Sequence, residues 1–405
     1  MINGSSLKNT RASNIMRYAT IAILLLATLC SASALAEENN SRNMEALLAH
    51  SLQDIGNNKL DVALNEVDSL LKANPNFKLA QLVKGDLLLA RSQPLNNFGN
   101  APNAPRDRME DLRDEARARL QRVSQQQPFN TMPKYLWQLD ADQHFAIVVD
   151  TSKSTLYLFE NVNGEPHYVS DFYISVGKKG ADKVSEGDQR TPLGVYFINS
   201  KLTKDKLTDF YGSVAYPLSY PNEWDKRLGR DGHGIWLHGT PSDTYSRPPR
   251  ASNGCVVLAN EDLLQIGKHV EIGHTPVVIT SQMDWADDSD RADRSALLGE
   301  IEKWRSDWAS RNTDAYLTHY AKDFSTGSVN FAAFSDQKRL VNSGKTWIKV
   351  SISKLSAFPY PSQPGLVVVN FEQDYDSNNL SNRMIKRQYW MKRNDKWQIV
   401  YEGSA

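Results

Sequence analysis

Ala251-Ser252-Asn253-Gly254-Cys255-Val256-Val257-Leu258 carries one of the two cysteines in a chain of 405 residues. The other, Cys30, sits in a segment with the layout of a secretory signal. Lys8, Arg11 and Arg17 precede an apolar run from Tyr18 to Leu29, and small residues lead to Ala34-Leu35-Ala36 before Glu37-Glu38. A basic start, an apolar core too short to span a bilayer comfortably and an A-x-A ending predict export, with cleavage after Ala36. Leu29 stands where a lipid-attachment signal wants a small residue, so no lipid anchor at Cys30 is expected. Cleavage leaves Cys255 alone and without an internal disulfide partner. A lone thiol in an exported protein is either reactive or buried and inert, and its neighbours decide.

Charge and composition narrow the classes. The chain holds 47 basic and 47 acidic residues; residues 1–36 contain three basic and no acidic ones, which leaves 44 against 47, a net charge of −3. Neither nucleic acid nor an anionic membrane is expected as the main partner, and no integral membrane segment is expected after cleavage. With 40% hydrophobic and 23% charged residues, the chain has material for two or three globular domains.

Periodicity divides the chain. Residues 37–130 read as a small helical module. Ala46, Leu47, Leu48, Leu52 and Ile55 recur at helical spacing, as do Leu60, Ala63, Leu64, Val67, Leu70 and Leu71 before the break at Asn74-Pro75. A third run follows, Leu79, Leu82, Val83, Leu87, Leu88 and Leu89, and the pair around the break looks like half of a tetratricopeptide-type repeat, with no clear second copy. Ser92–Pro105 reads as a loop and Arg106–Val123 as a helix. From Pro133 the period falls to two. Phe145–Asp150, a turn at Thr151-Ser152-Lys153 and Leu156–Phe159 read as a β-hairpin, with further strands at Tyr168–Val176, Gly194–Ser200, Gly234–His238 and Pro276–Ile279. Residues 133–281 are thus a mostly-β domain with a short helix at Asp262–Ile266. Residues 282–294 are polar and acidic and read as a linker. Residues 295–405 give helices at Leu297–Arg311 and Thr313–Tyr320 and then four strands, an α+β domain.

A thiol of ordinary acidity needs an imidazole to take its proton, a third group to fix that imidazole's tautomer, and N–H donors for the charge that develops on an attacked carbonyl. Of the eight histidines, only His233 and His238 lie shortly before Cys255 in a strand-and-loop setting. His238 ends the strand Ile235-Trp236-Leu237 beside the turn Gly239-Thr240-Pro241, where the Gly239 carbonyl could orient it. His233 lies among Gly229, Gly232 and Gly234 and ranks second. Ser252, Asn253 and Gly254 suit an oxyanion site, because Gly254 permits close backbone approach. Arg247 and Arg250 lie just upstream; with Trp236 and His233 they are the candidate substrate-binding residues. With one cysteine left, no H-E-x-x-H and scattered histidines, neither a metal nor another cofactor is expected.

His238-Gly239-Thr240 followed by Ser252-Asn253-Gly254-Cys255 resembles the signature of the L,D-transpeptidase (YkuD) catalytic domain. Val176-Gly177, Arg190-Thr191-Pro192-Leu193-Gly194 and Gly273–Val277 fit the same family, so the resemblance covers about 143–281. It implies attack of Cys255 on the carbonyl of the third stem-peptide residue of peptidoglycan, usually meso-diaminopimelate. D-alanine leaves, and a thioester passes to an amine acceptor. Water as acceptor makes the enzyme an L,D-carboxypeptidase, the second reading. His238 would act as base and then acid. Most members carry Arg two residues after the cysteine; Val257 stands there, which puts the acceptor in question. Trp304, Trp308, Asp314, Tyr316, Tyr320, Asp323-Phe324 and Trp397-Gln398-Ile399 resemble an NTF2-like fold, either as core or as a pocket for glycan, peptide or a protein. The two domains together resemble cell-shape L,D-carboxypeptidases of helical bacteria. The signal segment makes export, and so a periplasmic enzyme, the expectation. A non-catalytic wall-binding protein is the third reading, and the intact His238 and Cys255 speak against it.

Overall fold

A computed structural model of the protein describes residues 44–94, 98–99, 104–124 and 131–405. The expected signal segment with Cys30, and part of the Ser92–Pro105 loop, lie outside the described residues. The chain forms two compact units: residues up to Pro75 with Ala80–Phe98, and Asn76–Leu79 with Gly99–Ala405.

The first unit is helical. It holds α1 over 44–56, α2 (Leu60–Ala73) and most of α3 (Lys78–Leu89). Ala63, Leu64, Val67 and Leu70 form the buried stripe of α2, spaced at three and four residues as one helix face requires. Asn74 ends α2 with its N–H on the Leu70 carbonyl at 2.8 Å.

The second unit starts with α4 (Arg106–Ser124), which sequence periodicity alone grouped with the upstream helices. The buried side chains of α4 are Met109, Glu115, Ala116 and Arg119, and its Arg122 pairs with Asp171 of the following domain. Then come β1 (Phe145–Asp150), β2 (Thr155–Val162), β3 (Glu165–Tyr173), β4 (Val176–Gly177), β5 (Gly194–Phe197), β6 (Leu202–Thr203), β7 (Val214–Pro217), α5 (Glu223–Arg227), β8 (Trp236–His238), β9 (Arg250–Ser252), β10 (Val256–Val257), α6 (Asn260–Ile266) and β11 (Pro276–Thr280). One sheet runs β3-β2-β1-β11-β5, a second β10-β8-β7-β6, and β4 pairs with β9. Ile147, Val149, Leu156, Leu158, Val277 and Ile279 of the first sheet pack with Val214, Tyr216, Leu237 and Val256 of the second and with Leu258 just after it.

The alternate residues of the first sheet are buried too. Ala146, Val148, Phe159, Val195, Phe197 and Val278 form another core with Phe358, Leu366, Val368, Tyr389 and Val400 of the C-terminal domain. Burial on both faces explains why Phe145–Asp150 reads as a continuous apolar run rather than an alternating one.

The C-terminal domain comprises α7 (Asp288–Ala309), α8 (Thr313–Leu317), β12 (Tyr320–Thr326), β13 (Val329–Asn330), α9 (Phe331–Ser343), β14 (Ile348–Pro359), β15 (Leu366–Ser377), β16 (Leu380–Arg393) and β17 (Lys396–Ser404). Its sheet order is β13-β12-β17-β16-β15-β14. Leu297, Ile301, Trp304 and Trp308 of α7 pack on the face carrying Val367, Val369, Phe371 and Trp390. The acidic stretch expected as a linker over 282–294 is in large part the start of α7. Asp287 accepts from the Asp290 N–H at 2.9 Å, the reciprocal bond completes a capping box, and Asp288 and Asp290 lie in the first turn, where the helix dipole favours carboxylates. The helix expected over Thr313–Tyr320 stops at Leu317, and Tyr320 opens β12.

α5 fastens the two domains. Asn222, its N-cap, donates from Nδ2 to the Tyr360 hydroxyl at 3.1 Å, and Glu223 accepts from the Tyr389 hydroxyl at 3.0 Å. Gly194 makes room: a Cβ there would lie 2.6 Å from the Tyr360 hydroxyl. Asp225 is buried beneath this contact, bonds to the Tyr196 hydroxyl at 3.1 Å and leaves Oδ1 without a partner. Burial raises its pKa to about 6. The folded state therefore favours the neutral acid, so stability from this group is full below the unfolded value and is lost as pH rises to about 6 and beyond. A shift of that size is worth at most about 3 kcal/mol. Asp225→Asn should raise the melting temperature at pH 7.5 by a few degrees and flatten its fall between pH 4 and 7, measured by calorimetry. A variant less stable than wild type at pH 7.5 would contradict this.

Candidate active site

The geometry begins with β8. It is hydrogen-bonded on both sides, with Ala215 of β7 and Val257 of β10 both opposite His238. The Gly239 N–H donates to the Tyr211 carbonyl at 3.0 Å, and Asn260 at the start of α6 donates from Nδ2 to the Thr240 carbonyl at 2.8 Å. A Cβ on Gly239 would fall 2.0 Å from Asn260 Oδ1, so this turn requires glycine. Its product is a 2.7 Å contact between His238 Nδ1 and the Gly239 carbonyl. A carbonyl only accepts, so Nδ1 carries the proton and Nε2 of the neutral ring is a bare acceptor. The ring is 1% exposed, with Tyr211 edge-on at 5.1 Å. Burial lowers its pKa to about 4, against the opposing pull of the Gly239 carbonyl and with help from the charge of Arg247.

Cys255 enters on the turn between β9 and β10. Gly254 has φ +130°, and a Cβ there would meet the Arg190 carbonyl oxygen at 2.8 Å. Ser252 Oγ donates to the Cys255 carbonyl at 2.6 Å and accepts from the Gly254 N–H at 3.0 Å. Thr191 Oγ1 donates to the Gly254 carbonyl at 3.0 Å and accepts from the Gly177 N–H at 2.9 Å. β10 runs parallel to β8 with Val257 opposite His238, so Cys255, two residues earlier, lies beside Trp236 and faces the same side as His238. Its Sγ is 3.3 Å from the Gly234 carbonyl oxygen. Burial pushes the thiol pKa up; the Trp236 N–H, Arg247 and Lys183 oppose it.

The remaining candidates divide. Arg247 is half-buried, with its guanidinium 4.5 Å over the Phe210 ring and a 3.2 Å bond to the Phe210 carbonyl; burial lowers its pKa and the Cys255 charge opposes that. Trp236 is half-buried against Tyr211 at 4.9 Å. Arg250 is exposed on β9, and His233 is exposed with Nδ1 3.6 Å from Glu186. The Ser252 hydroxyl and the Gly254 N–H, both expected around an oxyanion, are engaged inside the turn. The N–H groups of Asn253 and Cys255 make no hydrogen bond within the described residues. Lys183 was not singled out by sequence. It is 3% exposed, paired with Asp188 at 2.9 Å and close enough to bear on the thiol. Among the described residues, no group of three or more His, Cys, Asp or Glu side chains is arranged to hold a metal ion, and no helix is long and apolar enough to cross a membrane.

Residues 144–279 match the L,D-transpeptidase catalytic domain (YkuD), and residues 296–403 match the Cds6 C-terminal NTF2-like domain. No curated protein sequence matches the chain. Among solved structures, the chain is similar to Bd1075 of Bdellovibrio bacteriovorus, at 27% identity and TM-score 0.60, covering 68% of this chain and 98% of that one. It is also similar to the helical cell shape determining protein Pgp2 from Campylobacter jejuni, at 25% identity and TM-score 0.59, covering 67% of this chain and 95% of that one.

With imidazole and thiol both neutral at rest, alkylation of Cys255 by iodoacetamide should climb with pH to a midpoint above that of free cysteine. No plateau is expected between about pH 5 and 7. A plateau there would reveal a resting thiolate–imidazolium pair and overturn this assignment.

Proposed function

From a chain that carries an L,D-transpeptidase (YkuD) catalytic domain and a C-terminal NTF2-like domain, we propose a periplasmic enzyme that opens the meso-diaminopimelate–D-alanine bond of peptidoglycan tetrapeptide stems through a Cys255 thioester. The supporting observation is the bare Nε2 of His238, fixed by the Gly239 carbonyl, on the face that carries Cys255. His238 Nε2 takes the thiol proton as sulfur attacks the carbonyl carbon. The N–H groups of Cys255 and Asn253 are the free donors for the oxyanion. The imidazolium returns the proton to the departing D-alanine amine, and the C–N bond breaks to leave the thioester. Gly254 and Ser252 shape the turn that presents the thiol, and Arg247 meets a substrate carboxylate.

Water is the acceptor in the first reading, which makes the enzyme an L,D-carboxypeptidase. It rests on the two-domain likeness to a helical cell shape determining protein along nearly all of that protein's length, since trimming stems removes potential cross-linking partners. Transfer to an amine is the second reading, favoured by the match to the transpeptidase catalytic domain.

Purified protein incubated with disaccharide-tetrapeptide should give tripeptide and D-alanine; a 3–3 linked dimer as main product would establish transfer instead. Cys255→Ala should abolish both products, and full activity in that variant would sink the proposal. His238→Ala should lower kcat/KM by roughly 10²- to 10⁴-fold. Arg247→Ala should raise KM about tenfold, the scale of one charge-assisted hydrogen bond.

A further inference from the structure

Helix α4 is strongly polar in sequence, yet Glu115 and Arg119 on it are 1% and 2% exposed. They lie one turn apart. Arg119 donates to Glu115 Oε1 from Nε at 3.1 Å and from NH2 at 3.0 Å. A buried ion pair of this kind adds little net stability, because desolvation offsets attraction. What it does is hold direction, and here it aims at the loop between β8 and β9. The Ser246 hydroxyl donates to the same Glu115 Oε1 at 2.6 Å. The Arg119 guanidinium lies 3.9 Å over the Tyr173 ring, and the Tyr173 hydroxyl donates to the Arg247 carbonyl at 3.0 Å. The Arg119 guanidinium also lies 5.1 Å from the Phe77 ring, and Phe77 packs on Tyr245 at 4.6 Å. Three consecutive loop residues, Tyr245, Ser246 and Arg247, are therefore each reached by a different arm from one ion pair. α4 itself is tied to β3 by Arg122, which pairs with the Asp171 carboxylate and donates to the Asp171 carbonyl at 3.2 Å.

We propose that Glu115 and Arg119 are positioning residues: through Ser246, Tyr173 and Tyr245 they fix the backbone that carries Arg247, set where its guanidinium lies against Phe210 and so tune how the site holds an anionic substrate. The inference rests on the reading of Cys255 as nucleophile and Arg247 as carboxylate contact. It assigns to a helix outside the matched catalytic domain a part in that domain's selectivity.

The mildest probes are Tyr173→Phe, which keeps the ring under Arg119 and removes the bond to the Arg247 carbonyl, and Ser246→Ala. Glu115→Gln is the stronger one. They are compared in full-length protein with Arg247→Ala as reference. Two readouts are used: the pH midpoint of iodoacetamide alkylation of Cys255, and kcat and KM on disaccharide-tetrapeptide. Tyr173→Phe combined with Ser246→Ala should raise KM roughly three- to tenfold, the scale of one or two lost hydrogen bonds, with kcat within about twofold. The combination should move the alkylation midpoint upward, as Arg247→Ala does. In the Arg247→Ala background it should change neither readout further. A combined variant that lowers the melting temperature but keeps wild-type KM and midpoint would overturn the proposal. So would effects that persist at full size once Arg247 is gone. Alkylation needs no substrate, so a wild-type protein that fails to cleave the tetrapeptide would defeat the functional reading while the midpoint comparison still decides the positioning role.

Discussion

The hydrogen bond between His238 Nδ1 and the carbonyl of the next residue is the constraint on which the arrangement of the candidate site depends. It leaves a buried imidazole with one defined lone pair, at Nε2, without using a carboxylate. A carboxylate partner would raise the imidazole pKa; a carbonyl does so only weakly, and burial wins. For that bond to exist, Gly239 must turn tightly against Asn260, β8 must be held on both sides, and α6 must start where it does. The sandwich core behind β8 secures those conditions.

The thiol is organised by similar means. Thr191 and Ser252 each use one hydroxyl as donor and acceptor at once, closing a small network around Gly254 and Gly177. Both hydroxyls are thereby satisfied while buried, which a low-dielectric site demands. What this leaves open is the pair of N–H groups at Asn253 and Cys255. The same turn therefore holds the Cys255 thiol and leaves donors beside it.

Much of this was legible in the sequence, and the part that was not has a physical pattern. Cys255, His238 and Gly239 announce themselves through scarcity, a strand end and a turn, and the hairpin at Phe145–Phe159 through its apolar run. Local order failed where a residue's role depends on a distant partner. Lys183 looks like a solvated charge in a polar loop until Asp188 and the Ser185 carbonyl enclose it. Glu115 and Arg119 look like an ordinary i,i+4 surface pair until Phe77, Tyr173 and Ser246 cover them. The stretch 282–294 reads as linker because acidic residues suit both a solvated chain and a helix start, and only the cap decides. Ser252 and Gly254 are of types that suit an oxyanion site, whereas their hydrogen bonds run inward.

The sheet with two inner faces has a consequence for inheritance. A catalytic domain cut out at residue 281 would carry Ala146, Val148, Phe159, Val195, Phe197 and Val278 as a bare greasy surface. The NTF2-like domain would carry the complementary one. The two behave less like beads on a string than like halves of one casting. A lineage that shuffles either half into a new protein must first repaint that surface with polar residues, so the pair is expected to travel through genomes together.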